Sequence, residues 1–315
     1  MKSSMYAWSA AVVLTVGAAC AHEGPRVWLD QSGGRVITLT SDNDISPTVF
    51  APARAFLGEL TPLFGVLTTE FPGYEVKPVA PAVGAGTVFG FRVAGPLLSY
   101  DVATDRLRPT VEFLPAPAPQ LAVSFAAEVR MTDRGPVDGF DFFQYFGGGD
   151  HAHLSFTLLG DGASPTAPAP PDGTYVLPMI TTAGGLAPSD WYFIVLSKSA
   201  TVVARDRSLA LAESMAESLP GDANFDRSVN IGDFAVLAAN FNAGNRWWGD
   251  GDFNFDGTVG IADFALLAAN FNRTQPTDGP RAAVPDPTGG ASIGAGLIVA
   301  TVRRRASPVA TRPSE

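Results

Sequence analysis

Three kinds of residue are scarce in this chain of 315 residues, and their scarcity limits its chemistry. Cysteine occurs once, at Cys20, so an internal disulfide, a zinc–thiolate site and a cysteine nucleophile are excluded once the N-terminal segment is removed. Histidine occurs three times, and charged residues make up only 17% of the chain. The net charge of −10 disfavours nucleic-acid binding and favours the binding of cations.

Glycine and proline are abundant, with 33 and 26 copies, and hydrophobic residues reach 46%. Because Pro and Gly interrupt helix interiors, this composition favours many short strands joined by turns. Alternating or continuous apolar runs predict strands at Thr87–Val93, Leu121–Met131, His153–Leu159, Gly173–Ile180 and Trp191–Leu196. We therefore predict a mainly β protein, with a β-sandwich or jelly-roll-like domain over residues 22–204. A helix and linker over residues 205–219 follow it and end at Leu219-Pro220.

The first 21 residues have the features of a secretory signal. Lys2 supplies the positive start, Ala10 to Ala19 form the apolar stretch, and Ala19-Cys20-Ala21 fits the cleavage rule. Cleavage would leave His22 at the N-terminus of an exported, surface or extracellular protein. The alternatives are a retained membrane anchor, for which the apolar run is short, and a lipoprotein modified at Cys20.

An internal repeat with a period of 30 residues occupies the region 220–273. Residues 222–242 and 252–272 are identical at 15 of 21 positions. Oxygen-bearing groups recur in each copy at loop positions 1, 3, 5, 7, 9 and 12, which is the spacing of a calcium loop. The predicted ligands of the first loop are Asp222, Asn224, Asp226, the carbonyl of Ser228, Asn230 and Asp233. Those of the second are Asp252, Asn254, Asp256, the carbonyl of Thr258, Gly260 through a water, and Asp263.

The two loops differ at the turn in position 6, where a left-handed backbone is expected. Gly257 suits that conformation, whereas Arg227 costs about 1 kcal/mol there. We therefore predict two Ca²⁺ ions, with the weaker site in the first loop. Asp/Asn-rich turns without a metal are the alternative.

This pair of loops, each followed by an apolar helical segment, resembles a type I dockerin. The resemblance implies a small α domain of two calcium loop–helix units that pack through Leu237, Phe241, Leu267 and Phe271. It also implies docking to a cohesin-like protein or cell-envelope component through loop positions 10 and 11, Ile231-Gly232 and Ile261-Ala262, where the cellulosomal type has Ser/Thr pairs. An intramolecular calcium staple is the alternative.

The C-terminal residues 284–315 follow a linker over 274–283. Val284-Pro285-Asp286-Pro287, an apolar stretch from Gly289 to Val302 and Arg303 to Arg305 resemble a PEP-CTERM sorting signal, with Asp286 in place of Glu. A disordered tail is the alternative. Membrane contact is expected only through this segment and the signal peptide.

The strand region offers two weak candidates for chemistry. His151 and His153 would share one face of a strand and, with His22, could hold copper, although a solvated strand edge is the simpler interpretation. Glu112, Glu128, Asp138 and Asp141 could supply a glycosidase pair. The resulting hypothesis is a non-catalytic exported protein that attaches to a partner. The alternative is a dockerin-bearing carbohydrate-active enzyme, and a glycan is a possible ligand in either case.

Overall fold

The computed structural model describes residues 25–42, 47–63, 66–114, 118–148, 150–160 and 169–275. Strands dominate these ranges, so the protein is mainly β, as predicted. The strands are β1 (Arg26–Ser32), β2 (Arg35–Ser41), β3 (Phe50–Pro52), β4 (Ala55–Glu59), β5 (Thr61–Leu63), β6 (Val66–Thr69), β7 (Gly73–Val76), β8 (Val88–Val93), β9 (Leu98–Asp101), β10 (Arg106–Pro109), β11 (Gln120–Phe125), β12 (Glu128–Met131), β13 (Val137–Gln144), β14 (His151–Ala152), β15 (Ser155–Leu159), β16 (Gly173–Ala183) and β17 (Tyr192–Lys198). The predicted signal segment and sorting tail lie outside the described residues.

Four α-helices and a short 3₁₀ helix (Trp248–Asp250) accompany the strands in the described ranges; the α-helices are α1 (Thr110–Phe113), α2 (Val202–Ala216), α3 (Ile231–Ala239) and α4 (Ile261–Asn270). Helix α2 begins three residues before the predicted start at residue 205, because the side chain of Thr201 caps it by accepting the N–H of Ala204. None of the helices in these ranges has the length and apolar character needed to cross a membrane.

The strands form three sheets. The first has the order β14-β7-β1-β2-β3 and the third has the order β12-β11-β15-β6-β5. The second has the order β10-β9-β16-β17-β4, and β8 also pairs with β16 and carries β13. Neighbours are antiparallel except for β1 with β7 and β17 with β4.

Strands β16 and β17 are buried on both faces. Alternate residues such as Tyr175, Leu177 and Ile194 join an inner core shared with the other strands. The residues between them, including Val176 and Val195, join a second core that α2 and the duplicated region cover. These two strands therefore connect the β-rich body to the repeat.

Two predicted strands are wrong in detail. The segment Leu121–Met131 is a hairpin, because β11 and β12 pair antiparallel around a turn at Ala126, where φ is +51°. The segment His153–Leu159 is interrupted before β15, and His151 instead belongs to the separate strand β14. Apolar alternation continues across the hairpin turn, so it did not reveal that break.

Candidate metal centres in the duplicated loops

The first loop is closed by its own carboxylates. Asp222 Oδ1 accepts the backbone N–H of Asp226 at 3.1 Å, and its Oδ2 accepts that of Arg227 at 2.9 Å. Asp226 Oδ1 in turn accepts the N–H of Ser228 at 2.9 Å. The loop therefore wraps around its acidic side chains, which hold the turn in place.

Asp233, at position 12, joins the loop to α3. Its Oδ1 accepts the N–H of Ala223 at 2.9 Å and its Oδ2 accepts that of Asn230 at 2.8 Å. The side chain of Asn230 caps the helix by accepting the N–H of Gly232 at 2.7 Å. The first and last acidic positions of the loop are thus brought to one place at the start of the helix.

The second loop repeats this arrangement. Asp252 accepts the N–H groups of Asp256 at 3.1 Å and Gly257 at 2.8 Å, and Asp263 accepts that of Gly260 at 2.8 Å. These distances differ from those of the first loop by at most 0.1 Å. The conformation therefore follows from the shared acidic positions.

The turn at position 6 is left-handed in both loops, as predicted. The backbone φ is +70° at Arg227 and +86° at Gly257. Arg227 therefore occupies a region that favours glycine, and its guanidinium donates to Ser214 Oγ of α2 at 3.0 Å. This contact offsets part of the backbone strain of the first loop.

Four carboxylates in these loops are completely buried without a basic partner. Asp222, Asp233, Asp252 and Asp263 have no solvent-exposed surface. In the described part of the chain, no Lys or Arg nitrogen pairs with any of them. A buried carboxylate without a counter-charge is costly, because its hydration is lost and only hydrogen bonds replace it.

Burial also affects the pKa of the aspartate at position 1 of each loop. Burial raises the pKa of Asp222 to about 6, an effect opposed by the N–H of Arg227 and increased by the charges of Asp233 and Asp226. Burial likewise raises the pKa of Asp252 to about 7, and Asp263 and Asp256 add to it. Without a cation, the ionised forms are therefore disfavoured in both loops.

The predicted amide and carbonyl ligands also take part in hydrogen bonds within the loops. The amide oxygens of Asn224 and Asn254 each accept the N–H two residues later at 2.9 Å. The amide nitrogen of Asn230 donates to the carbonyl of Ser228 at 3.3 Å. The carbonyl of Thr258 has the equivalent place in the second loop, where Gly260 has no side chain to contact it.

The predicted donors of each loop fit a hard cation only when the carboxylates are combined with amide and backbone oxygens. Within the described ranges, no three carboxylate, imidazole or thiol groups form a metal-binding cluster by themselves. Each loop contains three aspartates, and its other predicted donors are amide and backbone oxygens. A carboxylate has about four lone-pair sites, so an oxygen that accepts one N–H retains capacity for a metal. Flexible sets of oxygen donors suit Ca²⁺.

An aromatic cluster joins both loops to the β-rich body. It comprises Trp191, which precedes β17, together with Trp248, Phe225 and Phe255 of the repeat. The rings of Trp191 and Trp248 stack with centroids 4.7 Å apart, and those of Trp191 and Phe255 are 5.2 Å apart. Phe225 lies 6.3 Å from Trp191. Sequence reasoning missed this role of Trp191, because no local pattern marks a long-range contact.

The helix packing implied by the dockerin resemblance is partly wrong. Leu237 and Leu267 are buried as expected, but Phe241 and Phe271 are 44% and 41% exposed. Each of these phenylalanines lies just beyond the end of its helix, so its ring is not carried into the interface.

The exposed side of the helix pair is apolar and repeats with the sequence. Ile231 and Ile261, at loop position 10, are 69% and 74% exposed. The rings of Phe234 and Phe264 are also partly exposed and meet edge to face at 6.1 Å. We call these four residues the apolar helix face.

The candidate sites in the strand region bring fewer of the predicted residues together. The rings of His151 and His153 lie 5.4 Å apart, and His153 Nδ1 is 2.9 Å from the carbonyl oxygen of Glu70. His22 lies outside the described residues, so the copper hypothesis remains a prediction. Among the candidate acids, Glu128 pairs with Arg130 at 3.0 Å and Asp138 lies 3.1 Å from Arg92.

Comparison with known proteins identifies no family for this chain. No protein-family model matches the chain, and no curated protein matches it. Among solved structures, the CooA pilin subunit from enterotoxigenic Escherichia coli is similar over 56% of this chain and 99% of that one. Its sequence identity is 14% and its TM-score is 0.25, which is too low to support an argument about fold or function.

Proposed function

We propose that this is an exported, non-catalytic bacterial protein whose dockerin-like repeat binds two calcium ions and attaches a β-sandwich-like body to a partner protein. The observation that carries the proposal is the set of four buried aspartates without basic partners. One divalent cation would balance the charge of the two buried aspartates in each loop, and Asp226 or Asp256 would supply a third carboxylate ligand.

Calcium would supply the counter-charge that the four buried aspartates lack. Asp222, Asn224, Asp226, the carbonyl of Ser228, Asn230 and Asp233 would hold the first ion; Asp252, Asn254, Asp256, the carbonyl of Thr258, water at Gly260 and Asp263 would hold the second. The chain itself contributes the closed loops, whose backbone N–H groups orient the carboxylates.

The aromatic cluster gives the same loops a role as an intramolecular staple. Phe225 and Phe255 stand at position 4 of their loops and lie against Trp191. Ordering of the loops by calcium would therefore also hold the repeat on the β-rich body. Staple and attachment are compatible, because the apolar helix face stays exposed.

Thermal unfolding of the full chain tests the calcium proposal. A ligand that binds only the folded state stabilises it by RT ln(1 + [L]/Kd), about 2.7 kcal/mol at a hundredfold excess over Kd. We expect Ca²⁺ to raise Tm, Mg²⁺ to raise it less, and Asp226→Ala and Asp256→Ala each to remove part of the calcium effect. An unchanged Tm with Ca²⁺ would contradict the proposal.

Partner attachment is proposed at the apolar helix face, and a cohesin-like domain is the expected occupant. Two large aliphatic side chains in solvent at equivalent places in a repeat support a recognition role. Surface plasmon resonance against recombinant cohesin domains should show binding that Ile231→Asp with Ile261→Asp abolishes. Val203→Asp is the matched control, because Val203 is also exposed but lies on α2. Concentration-dependent dimerisation that the same double variant abolishes would instead identify a second copy as the occupant.

Export and surface retention are proposed from the two terminal segments of the sequence. Mass spectrometry of protein recovered from the native envelope should find His22 as the first residue and should not find Arg303 to Arg305. Intact Arg303 to Glu315 on the recovered protein would reject the proposed sorting signal.

A further inference from the structure

A cleft rich in arginine lies beside the repeat, on the side where it meets the β-rich body. Its volume is about 870 Å³, within the usual size range of small-molecule sites, and Arg35, Arg54, Arg92 and Arg227 line it. Among the described residues, only two acidic ones, Asp190 and Glu217, share the lining. Four guanidinium groups against two carboxylates make a cationic cleft in a chain whose net charge is −10.

Asp190 already shows how this cleft holds a carboxylate. Its Oδ1 accepts a hydrogen bond from Arg35 at 3.3 Å, and its Oδ2 accepts one from Arg54 at 2.5 Å. The side chain of Asp190 is half exposed, as is that of Arg35. Two arginines thus converge on one internal carboxylate at the surface, where a carboxylate of a ligand can compete for them.

Arg92 retains an unused hydrogen-bond donor. Its Nε lies 3.1 Å from Asp138 Oδ1, an ion-pair distance, but the N–H is not aligned on that oxygen. The Nε is shielded from water and has no hydrogen-bond partner among the described residues. The side chain as a whole is 30% exposed, so an anion in the cleft would bind the terminal nitrogens of its guanidinium rather than this shielded Nε.

The rest of the lining restricts the class of anion. Pro188, Pro220 and Phe255 contribute accessible apolar surface, which suits the C–H faces of a sugar ring better than a simple inorganic ion. Asn254, at the third position of the second acidic loop, also lines the cleft. The acidic loops beside the cleft would repel a long nucleic acid, whose charge extends beyond the cleft.

We propose that this cleft binds an acidic oligosaccharide, with carboxylates of its uronic acid units paired to Arg35, Arg54 and Arg92. The inference goes beyond the proposed function and does not depend on calcium binding or on the apolar helix face. Its failure would leave both of those proposals standing.

Isothermal titration of the full chain with tetragalacturonate tests the proposal, and uncharged maltotetraose is the matched ligand. We expect tetragalacturonate to bind, with an affinity that falls as NaCl is raised, and maltotetraose not to bind. Arg35→Gln with Arg92→Gln should weaken binding about tenfold or more, because two charge-assisted contacts are removed. Arg106→Gln, an exposed arginine outside this cleft, should leave binding unchanged.

A gain of affinity provides a readout that misfolding cannot imitate. Asp190→Asn removes the internal carboxylate that occupies Arg35 and Arg54, so tetragalacturonate should bind several-fold more tightly. Absence of tetragalacturonate binding to the wild-type chain would overturn the proposal. Equal binding of maltotetraose, an equal loss in Arg106→Gln, or tighter binding of a 20-base-pair DNA duplex would also overturn it.

Discussion

The two loops of the repeat reach one conformation with different residues at the turn and at the helix start. Position 6 is left-handed at both Arg227 and Gly257, although only glycine favours that backbone. Position 9 caps α3 through the side chain of Asn230, whereas Gly260 provides no side-chain cap for α4. The comparison teaches that the acidic positions set the loop geometry, while the other positions adjust its stability.

The differences at positions 6 and 9 have opposite effects on the Ca²⁺ affinities of the two loops. Arg227 adds strain and a positive charge near the first site, and its contact with Ser214 offsets only part of the strain. Gly260 removes one side-chain ligand from the second site, but a water can replace it at little cost. We therefore expect the second loop to bind Ca²⁺ more tightly.

The largest expected effect compares the two position-4 phenylalanines. Phe255 lies 5.2 Å from Trp191 and 5.4 Å from Trp248, whereas Phe225 is 6.3 Å from Trp191. Phe255→Ala should cost about 1.5 kcal/mol in unfolding free energy and Phe225→Ala less, since each ring is only partly buried and its removal loses apolar contact. Denaturant unfolding measures both. Phe146→Ala, at an exposed ring, is the control, and costs for the two loop variants as small as the control would contradict the staple.

Exchange of the turn residues should shift affinity between the loops. Arg227→Gly should strengthen the weaker calcium step and Gly257→Arg should weaken the tighter one, each by about 1 kcal/mol. An added Cβ at Gly257 would meet only Pro136 Cδ at 3.7 Å, so the effect would come from the backbone and the charge. Calorimetric titration of the full chain decides this. If Asp222→Ala rather than Asp252→Ala removes the tighter step, the ranking of the loops is reversed.

The pH dependence should depend on calcium. Since the pKa values of Asp222 and Asp252 are raised to about 6 and about 7 without metal, the folded chain holds those protons more tightly than the unfolded chain. Their contribution to stability is therefore present at low pH and is lost between about pH 4 and pH 7. Calcium binds the ionised carboxylates, so the rise in Tm on adding Ca²⁺ should be larger at pH 7.5 than at pH 5. An equal rise at both values would contradict this electrostatic account.

The smallest expected effect concerns the helix cap. Gly260→Asn should stabilise α4 by a few tenths of a kcal/mol, because Asn supplies the acceptor that Asn230 supplies to α3. No atom lies within 4 Å of a Cβ built at this position, and its φ of −142° suits any residue. Chemical denaturation of the calcium-loaded chain measures the change, and destabilisation would show that the two helix starts are not equivalent.

Sequence reasoning placed the mainly β region and the loops well, and it missed what depends on distant contacts. The repeat spacing located the left-handed residue at position 6 of both loops, but not the left-handed Phe225 and Phe255 at position 4. The single strand predicted over Leu121–Met131 was wrong, because the hairpin turn at Ala126 has no glycine, proline or asparagine to signal it.

The burial of β16 and β17 on both faces is a second feature that depends on distant contacts and could not be predicted from the sequence. Their apolar runs are typical of buried strands, but nothing local indicates which partner covers each face. The apolar pattern predicts only a strand at Trp191 and does not indicate that its ring stacks on Trp248 of the repeat. The arginine cleft was not predicted for the same reason, because Arg35, Arg54, Arg92 and Arg227 come from separate parts of the chain.

Calorimetric titration of the metal-free full chain with Ca²⁺ at pH 7.5 tests the central claim most directly. The account predicts two binding steps, because each loop buries two aspartates that lack a basic partner. Asp222→Ala and Asp252→Ala should each remove one step, and the double variant should remove both. An absence of binding heat at several temperatures, together with no change in Tm, would contradict the account.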